Sequence, residues 1–320
     1  MSVPSSGPAS QSNPVIGRVR PRGRALTRWW EGFVMAMLVG CAVFSVLITV
    51  AIIVVLFGQS VRFFSMEGVS LGGFLLSTEW SPTLSRQHHF GIWPLICGTL
   101  SVTAIAMLVA LPLGLITAIY LSEFAHARVR ATLKPALEVL AGIPTVVYGY
   151  FAVTAITPSL KFFYDGFDQF NVTSAGIAVG ILCVPTVSSL AEDALRAVPR
   201  SLREGAYGLG ATKFDVSLRI VVPAALSGIV SAFLLAAARA IGETMIVTLA
   251  AGSQAQLTLN PTSQAQTMTG YMAGTALGDT SNFGVEYYSV FAVGATLFLM
   301  TLGLTVLGQV VRKRFREAYS

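Results

Sequence analysis

Two oppositely charged residues, Arg239 and Glu243, stand four positions apart inside an apolar run that extends from about 224 to 252. A guanidinium presents a planar fork of hydrogen-bond donors that suits an oxyanion, and a carboxylate can accept a hydrogen bond from a protonated oxygen. A charge at the centre of a membrane helix costs about 2.5–3.5 kcal/mol on insertion scales. We therefore expect both side chains to avoid lipid and to face a pathway or another helix.

The spacing of the two charges predicts that they can pair, because residues four apart share one helix face. The neighbouring face carries Gly228, Ala232 and Ala236, small residues that permit close approach of another helix. A structural ion pair that joins two helices is the alternative interpretation, although burying such a pair contributes little net stability.

The composition indicates whether these charges lie in a soluble or a membrane protein. Hydrophobic residues make up 54% of the 320 residues and charged residues 11%, and the mean hydropathy is +0.70, whereas soluble domains carry about 25% charged residues. The chain is therefore predicted to be a multi-pass protein of the cell inner (plasma) membrane, in contact with lipid. Its basic residues lie beside apolar runs, a pattern of membrane topology rather than of nucleic-acid binding.

Six apolar runs are each long enough to cross a bilayer, since a spanning helix needs about 20 residues. An all-α membrane protein with six transmembrane helices follows, because helices satisfy their own backbone hydrogen bonds in lipid. The runs cover about 33–57, 91–121, 137–157, 173–191, 224–252 and 288–311.

The distribution of lysine and arginine predicts that both termini are cytoplasmic. The connections and tails on one side carry 17 basic residues and those on the other side carry three, and basic residues favour the cytoplasmic side. The predicted segments are a disordered basic tail (1–32), a first transmembrane helix (33–57), a periplasmic loop (58–90), a core (91–311) with a long cytoplasmic loop (192–223), and a cytoplasmic tail (312–320). A second outward loop, 253–287, is either plainly solvated or a platform or lid for an external partner.

The side chains that usually hold metals or nucleotides are not arranged for it in this sequence. Cys41, Cys97 and Cys183 lie in separate apolar runs, and His88 and His89 are adjacent and predicted to lie in a solvated loop. None of the four lysines follows a glycine, so the phosphate-binding loop of ATPases is missing. We expect no metal, no cofactor and no enzymatic activity in this chain.

The loop 192–223 has the signals of two short helices. Ser201 and Glu204 form a capping-box pattern that predicts a helix start at Leu202. Glycines at 208 and 210 stop that helix, and Thr212 can cap a second one. Pro223 then closes the unit and starts the next spanning helix.

The spacing within this loop resembles the EAA loop of bacterial ABC importer permeases. The matching positions are Glu204, Gly205, Ala206, Gly210, Ile220 and Pro223, with Gly205 in place of the first alanine and Val222 in place of leucine. The resemblance implies a type I ABC importer permease fold, in which this loop couples the chain to an ATP-hydrolysing subunit.

Two further stretches, LEVLAGIPTVVYGYF (137–151) and AAARAIGETMIVTLAAG (236–252), resemble the C-type permeases of phosphate-specific ABC importers. The resemblance implies uptake of inorganic phosphate, with Arg239 and Glu243 in the substrate pathway. It also implies a second, A-type permease, two cytoplasmic ATPase subunits and an external phosphate-binding protein as partners.

Three alternatives remain open at this point. A sister importer for sulfate or molybdate shares the fold, and an ion-coupled secondary carrier could use Arg239 and Glu243 as a proton relay. A membrane anchor or sensor scaffold would leave the coupling loop and the two membrane charges unexplained.

Overall fold

The computed structural model describes residues 24–82, 89–278 and 284–314, and the chain divides into two units, residues 1–54 and 55–320. Within the described ranges the chain is helical apart from its connections and one short pair of strands. The elements are α1 (Arg24–Phe64), α2 (Leu71–Leu76), β1 (Trp80–Ser81), β2 (His89–Phe90), α3 (Trp93–Ile119), α4 (Ala127–Gly142), α5 (Thr145–Phe151), α6 (Thr157–Phe163), α7 (Val172–Arg196), α8 (Arg200–Gly208), α9 (Lys213–Val216), α10 (Val222–Ala224), α11 (Leu226–Ile241), α12 (Met245–Ala250), α13 (Met268–Leu277) and α14 (Val285–Arg314).

Three π-helical turns extend or join these helices. Tyr120–Phe124 prolongs α3, Ala152–Ile156 joins α5 to α6, and Ser217–Val221 joins α9 to α10. Such turns insert a residue into the helical ladder without ending the helix. The segment from α5 to α6 is therefore one span.

The number of spans agrees with the predicted membrane fold. Within the described ranges five helices are long and apolar enough to cross a membrane, and the pair Lys213–Ala224 and Leu226–Ile241, bent by 70°, makes a sixth when counted as one span. The all-α prediction with up to six transmembrane helices is confirmed.

Several predicted boundaries are wrong by part of a helix. The first helix begins at Arg24, inside the predicted tail 1–32, and ends at Phe64, inside the predicted loop 58–90. The last helix continues to Arg314, past 311. Residues 1–23 and 315–320, which form most of the two predicted tails, lie outside the described residues.

The third span begins later than the apolar run 137–157 indicated. A separate helix, α4, ends at Gly142, and Ile143 is extended with φ −66° and ψ 131°. The residue before a proline is disfavoured in the helical region, and Pro144 therefore separates α4 from the span that starts at Thr145.

Helix α7 lies at the centre of the bundle and packs against α3 and α11. Small side chains on its buried face, such as Ala178 and Cys183, allow the neighbouring helices to come close. The predicted small-residue face of α11 is found against it: Ala232 and Ala236 are buried, and a Cβ at Gly228 would collide with Ala194 of α7.

Each end of the bundle has its own apolar cluster. At the α13 end, Phe63, Trp80 and Phe90 pack edge to face with centroid separations of 5.1 to 5.9 Å. At the α8 end, Ala206 and Val221 are buried with the last turns of α7. These clusters hold the connections against the helices that they join.

Candidate functional site

The apolar run 224–252 is not one helix, because the backbone breaks between Ile241 and Met245. Gly242 ends α11, with its N–H bonded to the carbonyl of Ala238 at 3.2 Å. The hydroxyl of Thr269, on α13, donates to the Glu243 carbonyl at 2.7 Å. An exposed backbone carbonyl in a membrane requires such a partner. The second outward loop thus supplies the group that stabilises the break.

The break corrects the expectation that Arg239 and Glu243 pair on one helix face. Arg239 lies in the last turn of α11, whereas Glu243 lies beyond its end. Between these two described residues no ion pair within 4.0 Å is formed. Each side chain has a separate partner instead.

Arg239 reaches across to α7. One guanidinium nitrogen, Nη1, donates to the hydroxyl of Thr186 at 3.0 Å. Arg239 is otherwise an exposed residue. Arg239 is therefore directed to another helix, as expected, and keeps its remaining N–H donors available. Thr186 was not singled out from the sequence, since hydroxyls in spanning helices usually bond to their own backbone.

Glu243 is partly buried and caps the short helix α12. Its Oε1 accepts a hydrogen bond from the N–H of Ile246 at 3.3 Å. Its other oxygen, Oε2, accepts no hydrogen bond from the residues that the structure describes. This carboxylate oxygen can therefore still accept a hydrogen bond from a ligand.

The predicted capping box in the loop 192–223 is wrong. Helix α8 begins at Arg200, follows Pro199 (φ −55°, ψ 140°) and has no side-chain cap. Proline fixes its own φ near −65° and favours an immediate helix start. Ser201 is consequently inside the first turn, not before it.

The glycine and Thr212 signals in this loop are confirmed, whereas the helix start predicted at Pro223 is wrong. Helix α8 ends at Gly208, and Gly210 has a φ of +84°, which L side chains rarely adopt. The hydroxyl of Thr212 accepts from the N–H of Asp215 at 3.2 Å and caps α9. The spanning helix after Pro223 starts three residues later, at Leu226, beyond the 70° bend.

The six EAA positions divide into exposed and buried groups. Glu204, Gly205 and Pro223 are exposed, Ala206 is buried, and Ile220 is partly buried against the same cluster. Gly210 makes the turn. Beside them two large apolar side chains are exposed, Leu209 at 91% and Phe214 at 64%. Exposed apolar patches occur at contacts with proteins or with membranes.

Helix α8 is fastened to the bundle by Arg203. Its Nη2 lies 3.0 Å from Glu123 Oε1, and its two terminal nitrogens donate to the carbonyls of Leu195 and Val198. Leu195 is in the last turn of α7 and Val198 follows its end, where backbone carbonyls need such donors. Arg203 and Glu123 were both missed, because their pairing joins residues 80 positions apart.

A second cluster of charges surrounds Glu192, which is 1% exposed. Its carboxylate is 2.8 Å from Arg130, 3.3 Å from Arg196 and 3.6 Å from Lys134. Three cations around one carboxylate compensate the cost of burying it. The sequence shows these residues only as one acidic and several basic residues near helix ends.

The loop 253–287 packs against the helix bundle at several of its described residues. Its backbone bonds to the start of α7 and the segment before it: Asp168 to Thr262, and Val172 to Ser263. Its helix α13 has a buried start at Met268, whose N–H bonds to Thr99 of α3 at 3.0 Å. Among the described residues no group of three His, Cys, Asp or Glu side chains is placed to hold a metal.

Comparison with known proteins agrees with this architecture. The family model "Binding-protein-dependent transport system inner membrane component" matches residues 110–317. The probable ABC transporter permease protein YqgH of Bacillus subtilis is 34% identical over 261 residues, which cover 82% of this chain and 84% of the relative. The phosphate transport system permease protein PstC of Mesorhizobium japonicum is 31% identical over 291 residues, with 83% and 86% covered.

Solved structures show the same fold at lower identity. A chain of a bacterial ABC transporter that imports the acidic polysaccharide alginate superposes with a TM-score of 0.63 at 16% identity, covering 91% of this chain and all of that one. A chain of the MetNI methionine ABC transporter gives 0.53 at 17%, covering 71% and 95%. The chain therefore belongs to the binding-protein-dependent transport system inner membrane component family, and it is a multi-pass ABC importer permease of the inner membrane, not an enzyme.

Proposed function

We propose that the chain is the permease through which an ABC importer moves inorganic phosphate into the cytoplasm. The observation that carries the proposal is the exposed Arg239 guanidinium beside a helix break, with only one of its nitrogens engaged by Thr186. The phosphate transport permeases among its relatives support phosphate as the anion.

Arg239 and Glu243 divide the recognition of the anion. The remaining donors of Arg239 bind phosphate oxygens, and charge-assisted bonds of this kind are short and strong. Near neutral pH phosphate still carries a proton, and its P–OH group donates a hydrogen bond to Glu243 Oε2. Sulfate carries no proton at this pH, so the same carboxylate repels it and disfavours its binding.

The partners follow from the loop that contains α8. Exposed Leu209 and Phe214, next to the exposed Glu204 and Gly205, form a contact for a cytoplasmic ATPase. Two such ATPases, an A-type permease and an external phosphate-binding protein complete the importer. ATP binding draws the α8 helices together and opens the bundles to the outside.

The test is transport by the complete complex in proteoliposomes. Labelled phosphate uptake should require the binding protein and ATP, and unlabelled phosphate should compete while sulfate and molybdate do not. Equal competition by sulfate would instead assign a sister oxyanion, and uptake by this chain alone under an ion gradient would make it a secondary carrier.

The variant Arg239→Gln identifies the residue that binds the anion. Uptake should be abolished, while membrane insertion and co-purification of the ATPase remain as in the parent. Arg239→Lys keeps the charge but loses the fork of donors, and should recover only part of the uptake. Normal uptake by Arg239→Gln would contradict the assigned role.

A further inference from the structure

A basin of about 560 Å³ lies between α8 and the adjoining ends of the helix bundle. Its wall contains four arginines, two glutamates, a serine and a tyrosine: Ser122, Glu123, Arg130, Arg196, Arg200, Arg203, Glu204 and Tyr207. Glu192 contacts two of these arginines from outside the basin, and its charge is offset by Lys134 at 3.6 Å. The basin therefore has a surplus of two positive charges.

Two of the four arginines have donors to offer a ligand. Arg200 is exposed and has no hydrogen-bond or ion-pair partner among the residues that the structure describes. Arg196 lies 3.3 Å from Glu192 through its Nε and donates no hydrogen bond to a described residue. Arg203, by contrast, is engaged by Glu123 and by two backbone carbonyls. Since a guanidinium presents a planar fork of donors that matches a phosphate group, Arg196 and Arg200 can bind one while Arg203 keeps α8 in place.

The basin and the exposed apolar contact lie on different faces of α8. Successive residues are rotated by about 100° around a helix axis, so the four α8 residues of the basin fall within an arc of about 100°. Leu209 lies about 180° from Arg200 on the same count. A partner bound at Leu209 therefore does not need the face that the basin uses.

The basin lies where two membrane spans end. The spans Trp93–Phe124 and Val172–Arg196 both finish at its wall. This is the side of the loop 192–223, which is predicted to be cytoplasmic. Basic pockets between spanning helices on that side bind the headgroups of anionic lipids. Inorganic phosphate in solution presents the same chemical group.

We propose that the basin binds a phosphate group with a net negative charge, and that this group bridges Arg200 of α8 to Arg196 of α7. Its source is an anionic phospholipid of the adjoining leaflet or inorganic phosphate in solution. The ionised oxygens accept charge-assisted hydrogen bonds from both guanidiniums, and no covalent bond is made or broken. The bound group adds an attachment of α8 to the bundle beside that of Arg203, and it does not involve Arg239.

Direct binding distinguishes the two sources. The assembled complex is held in nanodiscs of phosphatidylcholine, and every chain carries Arg239→Gln so that phosphate at the helix break is not counted. The probes are radiolabelled dihexanoyl phosphatidylglycerol and radiolabelled inorganic phosphate, each followed by scintillation proximity. At least one probe should bind, and the probe that binds identifies the source. Arg200→Gln should raise the Kd of that probe about tenfold, because a hydrogen bond to a charged group is lost.

Three controls separate binding from folding. Arg219→Gln removes an arginine of the same loop that is 82% exposed and lies outside the basin, and it should leave the Kd unchanged. Arg200→Lys keeps the charge but loses the fork of donors, so its Kd should lie between those of the parent and Arg200→Gln. Without a probe, Arg200→Gln should melt at the temperature of the parent. The probe should then raise the Tm of the parent more than that of the variant.

Equal Kd values in Arg200→Gln and Arg219→Gln, for both probes, would overturn the proposal. Equal binding of dihexanoyl phosphatidylcholine would also overturn it, because the phosphate of that lipid is neutralised by its own choline. None of these measurements uses phosphate uptake. A complex that takes up no phosphate therefore contradicts the proposed function and leaves the basin standing.

Discussion

The guanidinium of Arg239 and the hydroxyl of Thr186 form a 3.0 Å hydrogen bond that joins α11 to α7. The bond fixes one end of the guanidinium plane and leaves the other nitrogens free for a ligand. It therefore positions a basic residue in the last turn of α11, where no described carboxylate forms an ion pair with it.

Thr186→Val removes the hydroxyl but keeps the side-chain volume. Phosphate uptake should fall about tenfold, because a hydrogen bond to a charged group contributes about 1.5–3 kcal/mol. The measurement is initial uptake at several phosphate concentrations. Thr186→Ser should retain most of the activity. Thr117→Val, which removes a hydroxyl bonded only to its own helix, should retain all of it, and an equal loss in both valine variants would refute the positioning role.

Thr269→Val removes the donor to the Glu243 carbonyl. An unpaired buried carbonyl costs about 1–3 kcal/mol, so we expect a lower Tm in detergent and slower uptake. The matched control is Thr296→Val, whose hydroxyl bonds to Ala292 within α14. If the two variants unfold at the same temperature as the parent, α13 does not stabilise the break.

Leu209→Asp places a charge on the most exposed apolar residue of the loop that contains α8. Co-purification of the ATPase and stimulated ATP hydrolysis should both be lost, because a charge at an apolar contact is desolvated without a partner. Leu259→Asp is the control, since this leucine is also exposed, at 83%, but lies in the opposite loop. ATPase retention by Leu209→Asp would exclude the contact.

Arg203→Met leaves Glu123 buried without its partner. Removing one member of a buried pair costs about 3–5 kcal/mol, and the Tm of the purified chain should fall accordingly. The same loop has a matched exposed pair, Arg219 and Asp215, at 82% and 37% exposure. Arg219→Met should cost less than about 1 kcal/mol. Equal effects would show that Arg203 does not fasten α8.

Local signals in the sequence predicted local structure well. The small residues of α11, the turn at Gly210 and the cap at Thr212 depend on neighbours within a few positions, and all three are present. The number of spans followed from hydropathy, since lipid imposes a simple length requirement. Pro144 is a local indication of the boundary between α4 and α5. The apolar run 137–157 continues across it and therefore indicates a single helix.

The contacts that were missed, and the break that separates Arg239 from Glu243, involve distant residues. At the break after Ile241, the Glu243 carbonyl accepts a hydrogen bond from the hydroxyl of Thr269, 26 positions away. Thr186 contacts Arg239 across 53 positions, and Arg130 contacts Glu192 across 62. Periodicity within one helix contains no information about such pairs. The roles of Arg239 and Glu243 in the pathway remain predictions.

Helix α7 carries both the anchor of Arg239 and the attachments of α8. Thr186 stands ten residues before Arg196, where α7 ends, which is about 15 Å along the axis at 1.5 Å per residue. If α7 tilts as a rigid rod by about 10° about its end at Arg196, Thr186 moves sideways by about 2.6 Å. That displacement is enough to break the 3.0 Å hydrogen bond to the guanidinium. On the proposed function, a small movement of α8 would then weaken the binding of the anion without any rearrangement inside α11.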